Sequence, residues 1–324
     1  MFRNSSHEQQ RTQRAQWEQK AQWGAMALLV AAMSLAGSSV VVGKLLVATL
    51  PVFVSTFLSL AVALFCLLPL MAGRFTELTG LSRREIAYLV LQALCGIVLF
   101  RVFTLYGLQR TGALQAGLIT GATPLVLALF SRAFLGEVMP RGTAVAVFLA
   151  AVGCMAVSVG SGGDGGQGSL SGSLLVGAAV VCEALFTIFR KRISASVTAT
   201  TNTFVLVLCS LVLVAPAALV ELAGLPAPPG GGAIVALLYY GAFATVLAYL
   251  LWTAAVGRVS GALAGVATAA MPASSVLLAV AVLGERLLPQ HLCGAALIVV
   301  AVILAALSSS PRPALIREGG RNRR

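Results

Sequence analysis

Ten apolar runs, each about 19–24 residues long, follow one another between Trp23 and Ser309. A hydrocarbon layer of roughly 30 Å is crossed by about 20 residues of α-helix. Lipid offers no hydrogen-bond partner, so a segment that crosses it must satisfy its own backbone. The runs therefore predict helices, placed near 24–43, 51–72, 86–108, 113–135, 142–160, 173–191, 202–222, 233–256, 261–283 and 291–309. Only 10% of the residues are charged, where a soluble domain carries about 25%. The expected fold class is an all-α integral membrane protein.

The runs are not independent. The fourth opens in TGALQAGLITGATPLVLALFSRAFLGE, Thr111 to Glu137, and a second version appears at Val259 to Glu285. A shift of 148 positions carries Gly117 to Gly265, Pro124 to Pro272, Gly136 to Gly284 and Glu137 to Glu285. The same shift carries Lys44 to Arg192 and Arg110 to Arg258. A chain that repeats itself in this way is read as two halves. Each half holds five spans, and an odd number inverts one half relative to the other. Inverted repeats place a substrate site where the halves meet near the midplane. The expected organisation is an N-terminal tail at 1–23, a five-helix repeat at 24–160, a Gly/Ser-rich linker at 161–172, a second repeat at 173–309 and a basic tail at 310–324.

The net charge of +12 does not indicate a nucleic-acid partner, because the basic residues gather at span ends and tails. With the N-terminus cytoplasmic, 18 of the 22 Lys and Arg fall on the inside and three, Lys44, Arg110 and Arg286, on the outside. That bias places both termini in the cytoplasm. The polar first 23 residues read as a cytoplasmic tail whose Trp23 meets the headgroups. No cleavable signal precedes the first span, which is read as retained.

Other functional classes find no support in the residues. The GxGxxG at Gly160, Gly162 and Gly165 lies in a flexible glycine-rich stretch with no βαβ pattern around it, and no GK[ST] occurs. The six cysteines stand apart without CxxC, and there are only two His, so neither a disulfide nor a metal is expected. HExxH and GxSxG are absent. No cofactor, metal or catalytic residue is expected, and the chain is not read as an enzyme. A channel would be expected to show a filter or a series of pore-lining charges. A membrane scaffold that transports nothing would share the duplication.

The order of ten spans, the duplication, and the endings ATPLVLALFSRAFLGE and AMPASSVLLAVAVLGER, with Pro-x₁₁-Gly-Glu in both halves, resemble the EamA-type transporters of the drug/metabolite transporter superfamily. The resemblance runs from Trp23 to about Ala306. It implies a secondary exporter of small metabolites, often amino acids or related compounds, in the inner (plasma) membrane. A homodimer is compatible with it. Many members carry an Arg early in the second span. This chain has Phe57-Leu58-Ser59 there and an extra Arg101 in the third span.

Two ionisable residues lie well inside the spans, Arg101 and Glu183. A charge at the bilayer centre costs about 2.5–3.5 kcal/mol on insertion scales, so it faces a partner or a wet cavity. Arg101 and Glu183 are expected to pair with each other, to hold substrate, or to lie nearer an interface than the span bounds place them. In the second case Arg101 takes a carboxylate or phosphate by two hydrogen bonds, and Glu183 takes an amine or a proton. A carboxyl group in a partly dry cavity holds a proton more readily than one in water. Glu183 is therefore the expected proton-coupling residue of a proton-driven exporter. Tyr249, the repeat image of Arg101, and Trp252, the image of Thr104, are expected to line the pocket as further substrate-binding residues. Gly117, Gly121, Pro124, Gly265 and Pro272 are expected to pack the fourth and ninth spans closely and to allow a hinge at the prolines. Glu137 and Glu285 are read as fixing a turn or a gate. The expected partners are a small-molecule substrate, the lipid bilayer and protons.

Overall fold

A computed structural model of the chain describes residues 2–135, 141–159, 169–190, 192–193, 197–225, 228–256, 267 and 270–309. These residues are nearly all helical and contain no strand. Six helices are long and apolar enough to cross a membrane, Trp23–Val47, Arg83–Arg110, Ala113–Phe134, Leu170–Arg190, Ala199–Ala223 and Gly231–Ala255. Four shorter apolar helices, Val52–Leu67, Ala144–Gly153, Ala270–Leu283 and Pro289–Ala301, supply the remaining spans. Phe65, Phe148, Leu174, Val220 and Leu277 on these helices are more than 60% exposed, as lipid-facing side chains are. The chain is an all-α membrane protein.

The elements follow in chain order. Repeat one comprises α1 (Phe2–Val47), α2 (Val52–Leu67), the short α3 (Thr76–Thr79), α4 (Arg83–Ala93), α5 (Phe100–Arg110), α6 (Ala113–Thr120), α7 (Thr123–Leu135) and α8 (Arg141–Val159). Repeat two comprises α9 (Leu170–Arg190), α10 (Ala199–Ala223), α11 (Gly231–Tyr239), α12 (Ala248–Val256), α13 (Ala270–Leu283) and α14 (Pro289–Ser309). Two boundaries differ from the sequence reading. The polar N-terminal stretch is a helix continuous with the first span, as its Gln, Arg, Glu and Ala content allows. The sixth span begins at Leu170, so the end of the expected linker is helical. Glu137, Gly265, residues 160–168 and the tail from 310 lie outside the described residues.

The packing follows the duplication. α2 packs on α10 and α8 on α14, each pairing a span with its own repeat image. α1 packs on α13 and α12, while α9 packs on α6 and α7 and on α5. Spans one and nine are thus matched by six and four, and spans one and eight by six and three. That is the pairing of a pseudo-twofold. Glycine permits the closest approaches. A Cβ on Gly37 of α1 would lie 2.2 Å from Met271 O of α13, and one on Gly107 of α5 would lie 2.7 Å from Val176 Cγ2 of α9.

Acidic side chains fasten spans of one repeat to helix starts in the other. Glu221, at the end of α10, accepts from Phe53 N at 2.8 Å and Val54 N at 3.0 Å in the first turn of α2. Glu77, beyond the end of α2, accepts from the hydroxyls of Thr201 at 2.5 Å and Thr198 at 2.7 Å at the start of α10. Carboxylates near helix N-termini stabilise the orphan amide end of the dipole, and here they tie the α2–α10 pair at both ends.

Candidate functional site

The third and eighth spans are not regular helices. Between α4 and α5 the segment Leu94–Leu99 is π-helical, and between α11 and α12 so is Tyr240–Leu247. The 148-residue shift carries 94–99 to 242–247, inside the second π segment. The wider turn is thus a property of both repeats. π-bulges displace the side chains that follow them and occur often at functional sites. Arg101 and Tyr249 each follow the π segment by two residues.

Arg101 is 6% exposed. Its guanidinium donates from Nη1 to Ser59 Oγ at 2.9 Å and from Nη2 to Thr245 Oγ1. Its Cζ lies 4.6 Å from the centroid of the Tyr240 ring, over its face. Thr245 is oriented by the π turn, since its hydroxyl donates to Tyr240 O, five residues back, at 2.8 Å. Gly241 brings this segment onto α2, where an added Cβ would meet Ser59 O at 2.5 Å. The third span thus supplies a guanidinium to the second span at Ser59.

α5 and α9 are antiparallel neighbours. Gly96 faces Phe186 and Gly107 faces Val176, which puts Arg101 and Glu183 at nearly the same level. They do not form an ion pair with each other; among the described residues Arg101 bonds hydroxyls alone. Glu183 accepts at Oε2 from Thr123 Oγ1 at 2.9 Å. Tyr249 lies within electrostatic range of both charges and meets Phe186 edge-on, with centroids 6.0 Å apart. Trp252, one turn on, packs with Ala25, Leu29, Ala255 and Ala267.

Thr123 places Glu183 beside the irregular point of the fourth span. Helical geometry lapses at Gly121 and Ala122, between α6 and α7. There the bonds tighten to Gly121 N→Leu118 O at 3.1 Å and Ala122 N→Ile119 O at 3.0 Å. Pro124 is the second residue of α7, where its missing N–H costs little. A Cβ on Gly117 would stand 2.5 Å from Ser275 Cβ, and one on Gly121 3.6 Å from Pro272 Cβ. The fourth and ninth spans thus cross at these glycines.

Sequence reasoning brought Arg101, Glu183 and Tyr249 forward but missed Thr245, Phe186 and both π segments. A polar Thr245 in an apolar run, standing where the first repeat has Ile97, was the available signal. The unbonded, buried Oγ1 of Thr104 and Oε1 of Gln92 add polarity on the spans that carry Arg101.

Comparison with known proteins gives a consistent answer. The EamA-like transporter family matches twice, over residues 22–159 and 170–307. The uncharacterized transporter YetK of Bacillus subtilis (strain 168) is 33% identical over 291 residues, 89% of this chain and 88% of its own. The uncharacterized transporter YyaM of the same organism is 26% identical over 240 residues, 70% of this chain and 74% of its own. A solved crystal structure of a protein superposes with a TM-score of 0.61 at 21% identity, covering 88% of this chain and 96% of that one. That likeness concerns the fold alone.

Proposed function

This chain belongs to the EamA-like transporter family, and from that premise we propose that it is a secondary exporter of small metabolites that carry an anionic group, driven by exchange against protons. It moves a small-molecule substrate across a lipid bilayer, as its family does. The observation that carries the finer reading is Arg101: a guanidinium 6% exposed, bonded to two hydroxyls and an aromatic face, with no carboxylate paired to it among the described residues. Neutral hydroxyls orient a guanidinium without neutralising it. A buried cation of this kind favours a carboxylate or phosphate that arrives and leaves.

Glu183 stands at the same level across the α5–α9 seam and is the group that carries the proton or meets an amine on the substrate. Tyr249 lies within electrostatic range of both charges, and Phe186 meets its ring edge-on. The break at Gly121–Ala122, with Pro124, serves as the hinge. Amino acids and related compounds fit one anionic group at Arg101 and one cationic group at Glu183. The charge bias of the loops puts both termini in the cytoplasm and the 160–172 linker outside, in the inner (plasma) membrane. Counterflow in proteoliposomes against a panel of amino acids and other carboxylates, with and without a pH gradient, tests the reading. Saturable exchange accelerated by the gradient is expected. Uptake linear in concentration, or none with any panel member, refutes it.

A further inference from the structure

At the end of the bundle opposite Arg192, five spans converge on the two-residue turn Thr111-Gly112 that joins α5 to α6. The turn is gripped by opposite charges from the two repeats. Lys44, near the end of α1, donates from Nζ to Leu108 O at 2.5 Å and to Thr111 O at 2.7 Å, the free carbonyls where α5 ends. Glu285, just past α13, accepts from Ala113 N at 2.7 Å and Leu114 N at 2.8 Å, the free amides where α6 begins. Each charge has the sign that its helix end favours.

The Gly-Glu motif supplies this geometry. Gly284 takes a φ of +67°, which glycine adopts without strain, and turns the chain out of α13 so that Glu285 points at α6. The sixth span closes the set, with Ser169 N bonding Arg110 O at 3.1 Å and Gln115 Nε2 bonding Ser173 Oγ at 2.7 Å. Thr111, Ala113 and Leu114 are each 1% exposed or less. The mouth at this end is shut over the Arg101 level.

We propose that Lys44 and Glu285 form the outer gate of the transporter, a latch between the repeats that holds this mouth closed and must release before substrate can leave to the outside. Both grips act on the same turn, and one of them belongs to the repeat that moves against it. Rocking of one repeat against the other cannot open this end while Glu285 holds the first amides of α6. Arg192, the repeat image of Lys44, makes its described bond to Phe134 O, at 3.1 Å, on the end of the fourth span. Lys44 grips instead the end of the third.

This inference rests on the transporter reading, but its test does not require transport. The full chain carries Thr104→Cys, one turn from Arg101 towards the latch, with its six cysteines replaced. A membrane-impermeant maleimide is added to the face that carries the 160–172 linker. Labelling is slow with the latch intact and accelerates about tenfold in Glu285→Gln and in Lys44→Met, the loss expected for one charge-assisted bond. Lys44→Arg, which keeps the charge, stays slow. Gly112→Ala opens the latch without removing a charge, because its Cβ would meet Glu285 Oε2 at 2.8 Å; it also labels faster. Slow labelling in Gly112→Ala and in either monodisperse charge variant overturns the gate. Fast labelling together with absent counterflow leaves the latch standing and refutes the transport reading.

Discussion

Gly37→Ala should be among the most damaging single-methyl changes in this chain. Gly37 lies on α1 against α13, and an added Cβ would stand 2.0 Å from Ser274 Oγ and 2.2 Å from Met271 O. A carbon and an oxygen rest about 3.3 Å apart at their closest, so the two helices must part by roughly 1 Å. Ser274 can turn away, but Met271 O is backbone and cannot. Parting the helices also stretches two interhelical bonds, Ser275 Oγ→Gly37 O at 2.8 Å and Ser274 Oγ→Ser34 O at 3.2 Å. Overpacking costs about 1–3 kcal/mol, and such bonds in lipid contribute about 0.6 kcal/mol each. The better helix propensity of Ala offsets about 0.8–1 kcal/mol. The net loss is about 1.2–3.4 kcal/mol. Gly177, mid-helix in α9 with nothing within 4 Å of its Cβ, is the control, and Gly177→Ala should be neutral or stabilising. Unfolding by SDS in mixed micelles measures both, with Trp252 as a reporter because it packs on Ala25 and Leu29 of α1. Equal stability of the two variants refutes the reasoning. So does recovery of wild-type stability in Gly37→Ala/Ser274→Ala, because that change leaves the Met271 contact in place.

Three further outcomes follow from the site and its supports. Arg101→Lys keeps the charge but cannot reach Ser59 and Thr245 with a planar fork; apparent affinity for an anionic substrate should fall about tenfold in counterflow, and unchanged affinity argues against two-point recognition. Glu183→Gln should retain substrate exchange and lose its dependence on the pH gradient, and full proton-dependent transport in that variant removes Glu183 from the proton role. The Glu77 carboxyl lies below the usual carboxylate range, first because Thr201 and then because Thr198 donates to it. Its folded-state value is depressed, so its contribution is present above the unfolded value and is lost as pH falls through the folded one. The difference in melting temperature between wild type and Thr201→Val should therefore be constant near neutrality and shrink on acidification; a difference that grows towards low pH contradicts the assignment.

Length and hydropathy determined the membrane class, because lipid leaves a spanning backbone few solutions. The 148-residue correspondence determined the duplication, since it needs only the order of residues. The intramembrane charges stood out for the same reason: a charge in an apolar run is visible without coordinates. What surrounds those charges was not visible. Arg101 meets Ser59 and Thr245, residues 42 and 144 positions away, and no local pattern encodes such a contact. The π segments were hidden because a bulge alters hydrogen bonding without altering hydropathy. Trp252 was singled out by its repeat position, and only the tertiary structure shows it packed on Ala25 and Leu29 of α1. The Gly-Glu ending was legible as a motif from the start. Only the fold revealed that Glu285 caps a helix of the other repeat, because a cap supplied from 172 positions away depends on where two inverted halves bring their ends together.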